Sequence, residues 1–176
     1  MGIKAVIFDL DGVIVSTDEY HYRAWKQMAD DEGIPFGRKI NQRLRGVSRM
    51  ESLNIVLEKA EKPYSDREKA ALAERKNRYY RSLLGNLTPG DLLPGVMQTL
   101  EKLKSLGIKI AVGSSSKNAP YILGKIGLDT YFDAVADGNR ITKSKPDPEV
   151  FLLAAKLLGF TPVSYTHLRA HETRED

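Results

Sequence analysis

The chain has 176 residues, of which 41% are hydrophobic and 28% are charged, with a net charge of +4 and no cysteine. These totals are typical of one globular domain, or of one domain with a smaller inserted one. The absence of cysteine excludes a disulfide framework and a thiolate metal site. No apolar run in the sequence is long enough for a membrane-spanning helix. Without a membrane span or a signal-peptide pattern at the N-terminus, we expect a cytoplasmic location. Basic residues are mixed with acidic ones, so we expect binding to neither nucleic acid nor membrane, and we expect a monomer.

The first predicted element is a strand over Lys4–Asp9, a short apolar run rich in β-branched residues. Asp9 and Asp11 stand two residues apart at its end and are followed by Gly12. Because residues i and i+2 of an extended backbone point to the same side, both carboxylates should face one small volume. Two anions so close need a cation or a proton between them, which suits a divalent metal and phosphoryl chemistry. A plain Asp-Gly turn is the alternative interpretation.

The stretch between the first strand and Val96 predicts helices only. Apolar residues at helical spacing indicate a helix over about Asp18–Asp31. Two capping boxes, each a serine followed three residues later by a glutamate, predict helices over about Ser48–Lys59 and Ser65–Leu84. A helical block inserted after the first strand of an α/β sheet is most simply a cap domain.

Downstream of this block, strand-like runs alternate with helical patterns, which predicts an α/β fold with a doubly wound parallel sheet. The strands are Ile108–Gly113 and Ala134–Ala136, and the helices are Val96–Leu106 and Pro148–Leu158. Gly107 and Gly159 follow helix ends, where a left-handed cap is expected, and Asp147 before Pro148 is a good N-cap. We therefore predict a Rossmann-like core of residues 1–15 and 92–162 and a cap of residues 16–91.

Polar residues follow the later strands as well, at the edge where open α/β sheets bind ligands. Hydroxyl and N–H groups of Ser114–Asn118, at the start of a helix, would form an anion site. Lys145, whose backbone is restrained by Pro146, could neutralise charge on a transferring phosphoryl group. Each feature alone is also compatible with an ordinary N-cap or a surface lysine. Together they predict a site that handles phosphate.

Three segments resemble the first three motifs of the haloacid dehalogenase superfamily in order and spacing. They are Phe8–Val13, Val112–Ser116 and Lys145-Pro146. Segments 17–25, 46–49, 74–77 and 114–118 extend the similarity to the phosphosugar mutases of that superfamily, over about residues 1–162. The resemblance implies an isomerase that interconverts β-D-glucose 1-phosphate and glucose 6-phosphate through an aspartyl phosphate and a bisphosphate intermediate. It also implies Mg²⁺ as cofactor and a small sugar phosphate as the only partner.

The same resemblance implies roles for individual residues. Asp9 would be the nucleophile, Asp11 the general acid and base, and both would hold Mg²⁺, while Lys145 would stabilise the transferring group. Arg49, at the start of a capped helix, would grip the second phosphate, and His21 would position Asp11 or the sugar. The other residues expected to bind substrate are Trp25, Gly46, Val47, Ser48, Ser52, Lys76, Ser114, Ser115, Ser116, Lys117 and Asn118.

The superfamily pattern ends near Thr161-Pro162. Its fourth motif, an acidic pair after a further strand that completes the metal site, is not recognisable in residues 163–176. We expect those residues to be a disordered tail foreign to the family, the sheet to be incomplete, and Mg²⁺ binding and turnover to be weak. Two alternatives remain open: a phosphatase of the same superfamily acting on a small phosphate ester, and an inactive fragment that only binds phosphosugars.

Overall fold

The computed structural model describes residues 2–45 and 47–160, and it divides the chain into two compact units. Thr17–Leu87 forms one unit, which we call the helical unit, and the residues on either side of it form the other, the sheet unit. The helical unit falls within the predicted cap of residues 16–91. Gly46 and the predicted tail at 163–176 lie outside the described residues.

In the part of the chain that the structure describes, the sheet unit contains three parallel strands in the order β1-β2-β3. The strands are β1 (Ala5–Phe8), β2 (Lys109–Gly113) and β3 (Ala134–Ala136). The register pairs Phe8 with Val112 and Gly113 with Ala136, so the three carboxyl ends lie along one edge. This confirms the predicted α/β fold with a parallel sheet. Within the described residues β1 pairs only with β2.

Helices alternate with the strands, and the helices packed against the sheet explain why its strands are apolar apart from the exposed Lys109 at the start of β2. They are α5 (Val96–Ser105), α6 (Ala119–Lys125) and α7 (Glu149–Leu157). Helix α7 packs against all three strands, and its Val150 and Ala154 join Ala111 in a buried cluster. Helix α5 lies against the other face, where Phe8 and Leu100 line a cavity of about 220 Å³.

The caps of these helices are as predicted from the sequence, with one correction. Gly107 and Gly159 have φ angles of 71° and 84°, the left-handed conformation expected just past a helix end. Helix α7, however, begins at Glu149, and Pro148 occupies the N-cap position that was predicted for Asp147. The Asp147 carboxylate still accepts a hydrogen bond from the Glu149 backbone N–H at 3.0 Å, so it satisfies the first backbone donor of the helix from one residue before the N-cap.

Among its described residues the helical unit contains four helices, and its core lies between the longer ones. They are α1 (Asp18–Asp31), α2 (Arg38–Gln42), α3 (Arg49–Leu57) and α4 (Asp66–Leu84). Helices α1 and α3 both pack against α4, and the core contains Trp25, Met28, Leu53 and Leu72. Helix α2 was not predicted, because a five-residue helix without a buried residue carries no apolar periodicity. No helix in the described part of the chain has the length and apolar character needed to cross a bilayer.

Both predicted capping boxes are present and set the first residues of α3 and α4. Ser65 Oγ accepts from the backbone N–H of Glu68, and the Glu68 carboxylate accepts from the Ser65 backbone N–H at 2.8 Å. Ser48 and Glu51 form the same reciprocal pair. Because a cap satisfies backbone donors that the helix itself cannot, these two serines determine where the helices begin.

We expect Ser65→Ala to lower the free energy of unfolding by about 1 kcal/mol, because it removes the acceptor for the Glu68 N–H. Urea denaturation followed by far-ultraviolet circular dichroism measures this change. Ser82→Ala, on the exposed side of α4, is the matched control and should leave stability unchanged or slightly raised. Equal losses in the two variants would contradict the capping role.

Candidate active site

An ion pair joins the end of β1 to the loop before α7. Lys145 Nζ lies 2.7 Å from Asp9 Oδ2, and both side chains are partly exposed. The other carboxylate oxygen, Asp9 Oδ1, accepts from the backbone N–H of Leu10 at 2.7 Å. The Lys145 ammonium also lies 4.7 Å from the centre of the Phe151 ring. The carboxylate is therefore held in place while it remains accessible to solvent.

Asp11 follows Asp9 in a tight turn, since β1 ends at Phe8 and not at Asp9 as predicted. The Leu10 side chain is fully buried, whereas Asp9 and Asp11 on either side of it are partly exposed. This is the alternation on which the prediction of two outward-facing carboxylates rested. Gly12 has a φ angle of 78° and donates its N–H to Val15 at 2.8 Å, which closes the turn.

Hydrogen bonds from its backbone N–H groups to two side chains fix the loop that carries Lys145. The backbone N–H of Lys145 donates to Ser115 Oγ at 3.2 Å, which connects this loop to the one after β2. The Glu149 carboxylate accepts from the backbone N–H groups of Thr142 and Lys143 at 2.9 and 2.7 Å. These hydrogen bonds lower the pKa of Glu149 below its usual value. Glu149, at the start of α7, therefore connects the two ends of this loop. Its position in the sequence did not indicate this role.

The loop after β2 is the predicted anion site, and its serines also shape its backbone. Ser114 Oγ accepts from the Ser116 N–H at 3.2 Å, and Ser116 Oγ accepts from the Asn118 N–H at 3.1 Å. Ser114 and Asn118 are buried, whereas Lys117 is exposed. In these bonds each hydroxyl acts as an acceptor, so it keeps its proton to donate to an anion. The loop thus combines turn formation with hydroxyl donors at the sheet edge.

The donor set at the sheet edge suits a hard divalent cation. Mg²⁺ prefers oxygen ligands and is usually held by one or two carboxylates together with water and phosphate oxygens. Asp9 and Asp11 provide such carboxylates. Across residues 2–45 and 47–160, no cluster of three or more acidic, imidazole or thiol side chains could hold a metal alone. A magnesium ion held by these two residues would draw its remaining ligands from water and a bound phosphate.

A second cluster of predicted residues lies within the helical unit. Lys76 Nζ is 2.9 Å from His21 Nδ1 and 4.8 Å from the ring centres of both Trp25 and Tyr80. The His21 ring stacks on Tyr80 with centroids 4.0 Å apart. Lys76 is only 4% exposed. The structure therefore brings together His21, Trp25 and Lys76 and adds Tyr80, which sequence reasoning missed although it lies one turn after Lys76.

Burial changes the protonation of this cluster. Loss of hydration, with a smaller contribution from the positive charge of Arg49, lowers the pKa of Lys76 to about 7. Burial, followed by the charges of Lys76 and Arg49, lowers the pKa of His21 well below its usual value. His21 is therefore neutral at neutral pH, so its Nδ1 can accept a hydrogen bond from the Lys76 ammonium. A bound anion would favour the charged form of Lys76.

Arg49 is the first residue of α3, and its guanidinium donates to Asn77 Oδ1 at 3.2 Å. Ser48 precedes it as the N-cap, and Ser52 is buried one turn later. Val47 lies before the cap and is partly buried. Asn77 was not among the predicted site residues, although it directly follows Lys76. The predicted residues of the helical unit thus gather around the start of α3, the middle of α4 and the first turns of α1.

The chain is similar to known proteins over most of its length. The sequence profile of a family described as haloacid dehalogenase-like hydrolase matches residues 3–167. A β-phosphoglucomutase from Bacillus subtilis strain 168 is 50% identical over 162 residues, 91% of this chain and 72% of that protein. A phosphorylated carbohydrates phosphatase from Thermotoga maritima is 34% identical and covers 91% of this chain and 73% of that protein. The crystal structure of a β-phosphoglucomutase from Clostridium difficile superposes with a TM-score of 0.78 at 46% identity, covering 90% of this chain and 72% of that one.

We predict that Lys76 titrates near pH 7, which the ¹³Cε chemical shift of its side chain would report across a pH series. Lys76→Arg assigns the signal by removing it. Arg49→Gln should raise the midpoint, because it removes a positive charge that disfavours the ammonium form. Arg45→Gln, at an exposed arginine paired with Asp18, should leave it unchanged. A midpoint near that of an ordinary exposed lysine, about pH 10.4, would refute the burial argument.

Proposed function

The chain belongs to the haloacid dehalogenase-like hydrolase family, and from this premise we propose that it is a phosphosugar mutase that interconverts β-D-glucose 1-phosphate and glucose 6-phosphate. The observation that carries the proposal is the ion pair of Asp9 and Lys145 at the carboxyl edge of a parallel sheet. The Lys145 backbone N–H also donates to Ser115 Oγ in the loop after β2. The two β-phosphoglucomutases described above support the assignment of the substrate.

In the proposed chemistry Asp9 is the nucleophile. A carboxylate oxygen forms a bond to phosphorus while the bond between phosphorus and the sugar oxygen breaks, which leaves an aspartyl phosphate. An anion approaching an anion needs positive charge beside it, and Lys145 lies 2.7 Å from the carboxylate. Hydroxyl groups of Ser114 and Ser115 would donate to the equatorial oxygens.

Asp11 is the proposed general acid and base. When the phosphoenzyme transfers its phosphoryl group to the 6-hydroxyl, Asp11 accepts the proton of that hydroxyl, and the bond between Asp9 and phosphorus breaks. After the bisphosphate turns around, Asp9 attacks the phosphorus at C1 and Asp11 returns its proton to the departing C1 oxygen. Because both residues regain their starting state, the cycle consumes no water and no net phosphate.

The helical unit would bind the phosphate that does not react. Arg49 can bind a phosphate through two parallel hydrogen bonds, and Lys76 gains positive charge when an anion is present. His21 accepts from Lys76 and therefore fixes the orientation of the ammonium group. Trp25 and Tyr80 exclude water around it, which strengthens its attraction for phosphate.

Mg²⁺ is the proposed cofactor, and Asp9 and Asp11 are the residues that would hold it. When bound, it would screen the charge of the phosphate from the attacking carboxylate. The oxygen-only character of the two ligands favours Mg²⁺ over softer metals. A phosphatase acting on phosphorylated carbohydrates is the second candidate, which the Thermotoga maritima relative favours, and it would use the same Asp9 chemistry with water as the final acceptor.

One assay separates these functions. The purified chain is supplied with β-D-glucose 1-phosphate, a trace of the bisphosphate and Mg²⁺, and glucose 6-phosphate and free phosphate are measured in parallel. We expect glucose 6-phosphate to exceed free phosphate, Asp9→Asn to abolish turnover, and Lys145→Ala to lower kcat by about 10²- to 10³-fold. Lys143→Ala, two residues away and exposed, should retain the original rate. Release of phosphate without glucose 6-phosphate would assign the chain to the phosphatases.

A further inference from the structure

A segment outside the predicted site contacts the backbone of the loop after β2, Ser114–Asn118, which we call the anion loop. Asp137–Asn139, which we call the β3 loop, directly follows the third strand. The Gly138 backbone N–H donates to the carbonyl of Ser116 at 3.0 Å. Asn139 Nδ2 donates to the carbonyl of Lys117 at 3.0 Å. Two consecutive carbonyls of the loop after β2 are thus bound by two consecutive residues of the β3 loop.

Gly138 lies too close to that backbone for any other residue. A Cβ atom built on it would lie 2.2 Å from the Ser115 carbonyl oxygen and 2.8 Å from the backbone nitrogen of Lys117. These are backbone atoms, so no flexible side chain could move aside. Gly124, by contrast, has free space around it, since a Cβ atom there would meet no atom within 4 Å. The absence of a side chain at Gly138 therefore permits the two loops to touch.

A buried carboxylate fixes the orientation of Asn139. Asp137 is 7% exposed, and its Oδ1 accepts from both the backbone N–H of Asn139 at 2.8 Å and the Asn139 side-chain amide at 3.0 Å. Burying a carboxylate is unfavourable unless hydrogen bonds compensate it. Because the amide group must face both this carboxylate and the Lys117 carbonyl, its NH₂ group points into the loop contact.

These contacts determine where the N–H groups of the anion loop point. In a planar trans peptide the C=O and the following N–H point in opposite directions. Binding of the Ser116 carbonyl by the β3 loop therefore turns the Lys117 N–H away from that loop. Binding of the Lys117 carbonyl does the same for the Asn118 N–H, which donates to Ser116 Oγ at 3.1 Å and so stays within the anion loop. Without these two bonds the loop could rotate its peptide planes and lose its arrangement of donors.

We propose that the β3 loop is a positioning clamp for the anion loop, in which Gly138 and Asn139 fix the peptide planes at Ser116 and Lys117 and so keep the loop in the arrangement that receives the transferring phosphate. This inference rests on the proposed function, since it takes that loop as the phosphate site. Neither Gly138 nor Asn139 contacts the phosphate. They act through the loop, so their substitution reduces affinity for phosphate at the sheet edge.

The test is the dissociation constant for inorganic phosphate, measured by isothermal titration at fixed pH and Mg²⁺ concentration, with thermal unfolding recorded for every variant. Asn139→Ala should weaken binding by about three- to tenfold, because one hydrogen bond that orients the loop is lost. Asn139→Asp keeps the shape but loses the donor, so it should fail to restore binding. Gly138→Ala should weaken binding further. Asn54→Ala and Gly124→Ala, at an exposed position and an uncrowded one, are the matched controls and should bind as the original chain does.

The outcomes separate the clamp from the proposed function. If Lys145→Ala weakens phosphate binding while Asn139→Ala and Gly138→Ala bind normally, the clamp is wrong and the proposed function stands. Restoration of binding by Asn139→Asp would show that side-chain shape suffices and would overturn the hydrogen-bond argument. If the original chain binds no phosphate, or Lys145→Ala has no effect, the sheet edge is not the phosphate site and both proposals fail. Weakened binding by Asn139→Ala and Asn139→Asp at an unchanged unfolding temperature supports the clamp.

Discussion

The ion pair between Asp9 and Lys145 is the interaction on which the proposed function of this chain depends. A carboxylate can attack a phosphate only where positive charge offsets their repulsion, so the proposed chemistry requires these two residues to meet although they are far apart in the sequence. The parallel register makes this possible, because it aligns the carboxyl ends of the strands along one edge. The loop before α7 then carries Lys145 to that edge, where Ser115 holds its backbone.

The two clusters of predicted site residues differ in their exposure to solvent. At the sheet edge, Asp9 and Lys145 are partly exposed, and each has the other as a charged partner. In the helical unit, Lys76 is buried against a neutral histidine and two aromatic rings, so its pKa falls to about 7. Burial destabilises the charged form of an ammonium group, and this supports the proposed role of Lys76 as a receptor for an anion.

Features that depend on local sequence were predictable, whereas features that depend on contacts between distant segments were not. Capping boxes and left-handed glycines are read from a few neighbouring residues, and the structure confirms them. The parallel-sheet rule brought Asp9 and Lys145 to one edge without any knowledge of packing. The same rule applied to β3 would have pointed to Asp137, but the close approach of Gly138 to the anion loop follows only from the fold. Tyr80 likewise became part of the site through its stacking on His21.

The most direct measurement is the location of the phosphoryl group during turnover. The chain is mixed with the sugar bisphosphate, quenched in acid and reduced with borohydride, which converts an aspartyl phosphate into a stable product that peptide mass spectrometry can locate. We predict one modified residue, Asp9, and no modification in Asp9→Asn. Turnover with a phosphoryl group on Ser114, Ser115 or Ser116, or with no modified residue at all, would contradict it.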